Sequence, residues 1–107
     1  MNFKEMNFKD IKFVETNIPK GIQALIQFGE YELSVVCNEN SYGGKDGGTL
    51  YEIAVFKGDT MIELPGITEE GDTVKGWLNE ENVVGIIKKM CTFTMEEPIN
   101  IVDTIPH

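Results

Sequence analysis

Nucleophilic or metal chemistry in this chain would fall to Cys37, Cys91 and His107. His107 is the single histidine and the last residue, and a frayed chain end holds no catalytic geometry. A serine or cysteine nucleophile working with histidine is therefore not expected. No two of these residues stand at the close spacing of a zinc site. Cys37 follows Val35-Val36 and Cys91 follows Met90, so both read as reduced core thiols rather than a disulfide. Carboxylates are plentiful, yet neither Asp59 with Glu63 nor Glu69, Glu70 and Asp72 follows the one-three-five rhythm of a calcium loop. Both groups read as solvated surface. The expectation is a protein that is not an enzyme and takes no cofactor or metal.

The stretch Gly43-Gly44-Lys45-Asp46-Gly47-Gly48-Thr49 has the composition of a phosphate loop without its order. In nucleotide hydrolases such a loop ends in Gly-Lys-Ser/Thr and opens a helix. Here aspartate follows lysine, and a strand pattern follows the loop. A long hairpin connection, with glycines supplying positive φ, fits better. The other reading is the rim of a small-ligand or nucleotide-signal site, with Tyr42, Lys45 and Tyr51 around it.

Charge is the strongest compositional signal. Eighteen acids face nine lysines, arginine is absent, and the formal charge is -9. Over a folded surface of roughly 6,000 Å² that is one uncompensated charge per about 670 Å². Without arginine, the usual bidentate reader of phosphate and guanine, direct binding to nucleic acid is not expected. The same field repels an anionic membrane and attracts a basic partner. Either the acids keep a small protein soluble, or one face imitates a polyanion. In the second case the partner contacts are exposed acids near loops: Glu39, Asp46, Asp59, Glu69, Glu70 and Asp72. No apolar run approaches the ~18 residues of a membrane span, and the first five residues do not begin a secretory leader.

The elements that must position these residues follow from periodicity. At 107 residues, 41% hydrophobic and 25% charged, the chain is expected to form one globular domain. Residues 1–10 repeat Met-Asn-Phe-Lys-Glu as Met-Asn-Phe-Lys-Asp. A period of five matches no helix or strand face, so this segment is expected to be loosely ordered. Strand alternation appears at residues 11–15, 21–28, 31–37, 50–56 and 61–64. Gly29-Glu30 suits a two-residue hairpin. Asn79 caps a helix with Glu80 and Glu81 in its first turn, Lys88 and Lys89 toward its end, and Leu78 and Val83 as a hydrophobic staple. Val83, Ile86, Ile87, Met90 and Cys91 make one apolar stripe, and Gly85 is expected to permit close packing on the sheet. Trp77 reads as a core plug at the sheet–helix junction, or else as an exposed interface anchor. The predicted class is α+β: an antiparallel meander of four to five strands packed on one C-terminal helix. The domain covers residues 11–95, with 96–107 a tail or an edge strand.

Four stretches in order, Tyr31 to Cys37, Ser41-Tyr42-Gly43-Gly44, Leu50 to Val55, and Asp72-Thr73-Val74-Lys75-Gly76-Trp77-Leu78-Asn79-Glu80-Glu81, resemble a group of small proteins of tailed bacteriophages and prophages. In that group the loop passes from Lys-Asp-Gly directly to Leu-Tyr-Glu, so Gly48-Thr49 looks like a local insertion. The resemblance brings no catalytic motif. It implies a setting: the cytoplasm of an infected or lysogenic bacterium, and an anti-CRISPR-like inhibitor that blocks a basic host protein such as a CRISPR nuclease. The other readings are a nucleotide-signal binder using the glycine loop, and a structural or regulatory homodimer rather than a monomer. The homodimer would expose an apolar patch around Trp77 or Leu78, or an unpaired strand.

Overall fold

Alternation of apolar and polar residues builds the centre of the sheet. A computed structural model gives the structure, describing residues 6–101. Strands β1 (Val14–Asn17), β2 (Lys20–Phe28), β3 (Tyr31–Asn38), β4 (Tyr51–Lys57) and β5 (Thr60–Ile62) form an antiparallel meander. Gly29 turns β2 into β3 at φ 62°, as its place in the tight hairpin requires. Register aligns Ala24, Val35 and Ile53 in one row and Ile26, Leu33 and Val55 in the next. Every member of these rows is at most 2% exposed.

Two further strands complete the sheet. β6 (Val74–Leu78) lies along the first half of β4 while β5 lies along its second half. β7 (Ile99–Ile101) continues β1 along the far edge of β2. Residues 96–101 thus contribute an edge strand, and residues 102–107, with His107, lie outside the described residues. Asn100 fastens that edge: its side-chain oxygen accepts from the Lys12 amide, and its Nδ2 donates to the Lys12 and Leu25 carbonyls.

Helix α1 (Glu80–Thr94) covers the two apolar rows with Val83, Ile86, Ile87, Met90 and Cys91. Asn79 accepts from the Asn82 amide at 2.8 Å, and Asn82 accepts from the Asn79 amide at 3.0 Å. Leu78 and Val83 are both buried, as a staple demands. Two details differ from expectation. The helix runs on to Thr94, so Lys88 and Lys89 fall short of its last turn. Gly85 is not held by packing either, since a Cβ there would meet nothing within 4 Å.

The described half of the amino-terminal repeat, residues 6–10, is packed rather than loosely ordered. Met6 and Ile11 are buried, and Phe8–Asp10 form a 3-10 turn in which Asn7 and Asp10 cap each other. The period of five has a use that neither helix nor strand would give it. That turn brings the Phe8 and Phe13 rings to 5.5 Å, and the Tyr51 ring joins them at 5.2 and 5.7 Å. Residues 1–5 lie outside the described residues.

Two substitutions test this account. Gly85→Ala is expected to raise the unfolding free energy by about 1 kcal/mol, the helix-propensity difference with no clash to offset it. Met95, which ends the helix at φ 61° and is 87% exposed, should gain a similar amount on replacement by glycine. Urea unfolding reads both, and a lower midpoint for Gly85→Ala would contradict the open surroundings of that position.

Candidate functional site

The most distinctive surface lies where the β3–β4 loop meets β6. That loop closes on itself. Asn38 donates its amide to Ser41 Oγ, the Gly44 and Lys45 amides donate to the Ser41 carbonyl, and Leu50 donates to the Gly43 carbonyl. The Gly48 amide donates to Lys45, and Tyr42 donates its amide to Glu52 Oε1 at 3.0 Å. With the amides of Tyr42, Gly44, Lys45, Gly48 and Leu50 turned inward, they form no cradle for a phosphate.

β6 receives the loop at an irregularity. Tyr51 pairs with Leu78 and Ile53 with Lys75, so β6 carries one residue more than β4 across this span. Gly76 and Trp77 occupy the bulge, Trp77 at φ 59°. Any Cβ at Gly76 would lie 2.3 Å from Tyr42 Cβ, so only glycine admits the loop. The Trp77 amide donates to the Tyr42 carbonyl at 3.1 Å. Their rings lie 6.5 Å apart and 28° from parallel, with Lys45 Nζ 5.1 Å from the Tyr42 centroid.

Trp77 is therefore not a core plug. It is 61% exposed, while Leu78 beside it takes the buried position. The two are consecutive and face opposite ways, with Trp77 in the bulge, and the isolated glycine in a strand-like stretch is the sequence signal for that bulge. Tyr42, Trp77, Glu69, Asp72 and Lys75 line a shallow groove of about 300 Å³. Next to it Glu63, Glu69 and Glu70 line another of about 240 Å³.

All six acids expected at a partner interface are exposed, but they do not form one group. Glu69, Glu70 and Asp72 gather on the β5–β6 connection with Glu63, which the sequence reading did not select. Glu39 braces a turn, its Oε2 accepting the Lys20 amide at 2.6 Å. Asp46 sits in the β3–β4 loop at φ 60°. Asp59 follows the far end of β4, at the opposite end of the strand from that loop. Of the residues proposed to rim a ligand loop, Tyr42 and Lys45 meet, whereas Tyr51 turns its ring into the Phe8–Phe13 cluster.

The cysteines are free thiols with suppressed acidity. Burial pushes the Cys37 thiol up, and its Sγ lies 3.6 Å from the Gly48 carbonyl oxygen. Cys91 is pushed from 9.0 to about 11, chiefly by burial and then by the negative charge of Glu97, partly opposed by a backbone hydrogen bond. The Tyr51 phenol is raised by burial first, then by repulsion from Cys37 where that thiol ionises and from the Glu80 carboxylate. None of these groups is prepared as a nucleophile or base near neutrality. Among the described residues no three His, Cys, Asp or Glu side chains gather to hold a metal ion, and no helix is long and apolar enough to cross a membrane. Comparison with protein-family models, with curated proteins and with solved structures gives no match.

A thiol whose folded-state pKa is raised stabilises the fold below its unfolded value and withdraws that stability as it ionises. For Cys91 that window runs from about 9 to about 11. Urea midpoints measured from pH 8 to 11 should fall more steeply in the native protein than in Cys91→Ala. Parallel slopes would show that the Cys91 thiol titrates as freely in the folded chain as in the unfolded one.

Proposed function

We propose that this chain is a phage-derived inhibitor that occupies a basic, nucleic-acid-binding surface of a host defence protein, such as a CRISPR nuclease, without making or breaking bonds. The observation that carries this reading is where the charge lies. Between Gly58 and Val74 there are five acids, Asp59, Glu63, Glu69, Glu70 and Asp72, and no lysine. All five are exposed. The segment from the β4–β5 turn to the start of β6 thus carries -5 of the formal charge of -9. A concentrated negative region steers a cationic partner and repels nucleic acid from the same groove. With no arginine anywhere, the protein presents no guanidinium to oppose that field. The resemblance of the four stretches between Tyr31 and Glu81 to small tailed-phage proteins, an expectation from the sequence alone, suggests the setting, an infected or lysogenic cell.

Binding to a CRISPR nuclease, measured with and without guide RNA over rising salt, tests the proposal. Affinity is expected to fall at least about tenfold between roughly 50 and 300 mM salt, and guide RNA to compete. Neutralising Glu63, Glu69, Glu70 and Asp72 together should weaken binding by about tenfold or more, whereas neutralising Glu96 and Glu97 should not. Salt-independent affinity would reject charge mimicry.

A further inference from the structure

We propose that the Tyr42–Trp77 step docks an arginine side chain of a protein partner, the guanidinium stacked on the indole and its N–H groups directed to Asp72 and Glu69. The inference rests on the proposed function only in taking the partner's surface to be basic. Its starting point is the aromatic pair, with Trp77 61% and Tyr42 48% exposed beside a core that has no use for either ring. Large exposed aromatic side chains are the usual anchors of protein interfaces.

The step is built in advance of any partner. Trp77 donates its amide to Tyr42, Tyr42 donates its own to Glu52, and Gly76 lets the two segments touch. The backbone of the step is thus set before a partner arrives, and only side-chain freedom is left for binding to remove. Two acids stand along the same groove on a pinned turn. The Glu69 amide donates to the Val74 carbonyl and the Asp72 amide to the Glu69 carbonyl, both at 2.9 Å. Asp72 commits Oδ1 to the Thr73 amide at 2.7 Å.

The sign of the occupant follows. Among the groove's own lining residues Glu69 and Asp72 against Lys75 leave a net charge of -1, with Lys45 over the Tyr42 ring outside that lining. A cation already uses the aromatic surface, since Lys45 Nζ lies 5.1 Å from the Tyr42 centroid. Guanidinium suits the remainder better than ammonium. It is planar, so it stacks on indole, and its fork of donors meets carboxylates while it sheds water more readily.

Trp77 is the sole tryptophan, so its fluorescence reports occupancy directly. The full chain is titrated with a capped pentapeptide of alternating glycine and arginine, and with its lysine counterpart. The arginine peptide should change Trp77 emission saturably and bind about threefold or more tightly than the lysine peptide. By calorimetry, Trp77→Ala should weaken it about tenfold and Asp72→Asn about fivefold, while Lys75→Gln strengthens it. Equal affinity for the two peptides, or arginine binding that ignores Trp77→Ala, would overturn the assignment. Arginine-peptide binding at this step without any binding to the nuclease would keep the site and remove the proposed function. Nuclease binding unchanged by Trp77→Ala and Asp72→Asn would keep the function and remove the site.

Discussion

The fold depends on one apolar contact, the stripe of α1 lying on the two rows Ala24–Val35–Ile53 and Ile26–Leu33–Val55. A single fifteen-residue helix cannot cover a sheet whose edges are built from four short strands. The gaps are closed on one flank by Met6 and Ile11, and elsewhere by Leu64 and Ile67, all buried with the helix stripe. Segments without regular structure thereby become part of the core. Removing any of these anchors would expose the helix margin to water as well as its own side chain.

The same economy of elements fixes the candidate site. β5 and β6 share the outer edge of β4, and the long connection between them must leave the sheet and return. Its return is irregular, and the irregularity admits the β3–β4 loop through Gly76. Aromatic pair, acidic turn and glycine loop thus meet where β6, on the edge it shares with β5, receives the β3–β4 loop. Edge strands carry free pairing capacity, and a bulge with charged neighbours is a common way to blunt it. Here the bulge also turns a tryptophan outward.

Elements governed by local rules were legible in the sequence. The β2–β3 hairpin, the meander and the Asn79 cap follow from alternation, turn chemistry and capping, which act over a few residues. β6 escaped because its five residues are short, interrupted by Gly76 and joined to the helix cap, so no alternation announces them. The place of Trp77 is hidden for the same reason, since it depends on the irregular pairing of β6 with β4. The order of residues 6–10 was missed because the Phe8–Phe13–Tyr51 contact joins positions distant in the chain. Of the site, the acids Glu69 and Asp72 and the loop residues Tyr42 and Lys45 were visible as types. Their meeting was not, because it depends on tertiary register.

A connection bearing like charges tends to expand, since each acid repels the next and solvent favours separation. The connection after β5 is held against that tendency by apolar burial and by hydrogen bonds to its backbone. Leu64 and Ile67 bury their side chains, and Thr68 Oγ1 accepts the Leu64 amide at 2.9 Å. Lys89 reaches the Gly66 carbonyl from the helix, and Glu63 turns one oxygen inward to the Gly71 amide. Apolar anchors and backbone bonds hold the shape, leaving the Glu69, Glu70 and Asp72 side chains exposed. Exposed carboxylates in high dielectric cost the fold little, so the negative region is compatible with a small core. Stability and surface charge are thereby separated: the helix stripe sets the first, and the edge of β4 presents the second.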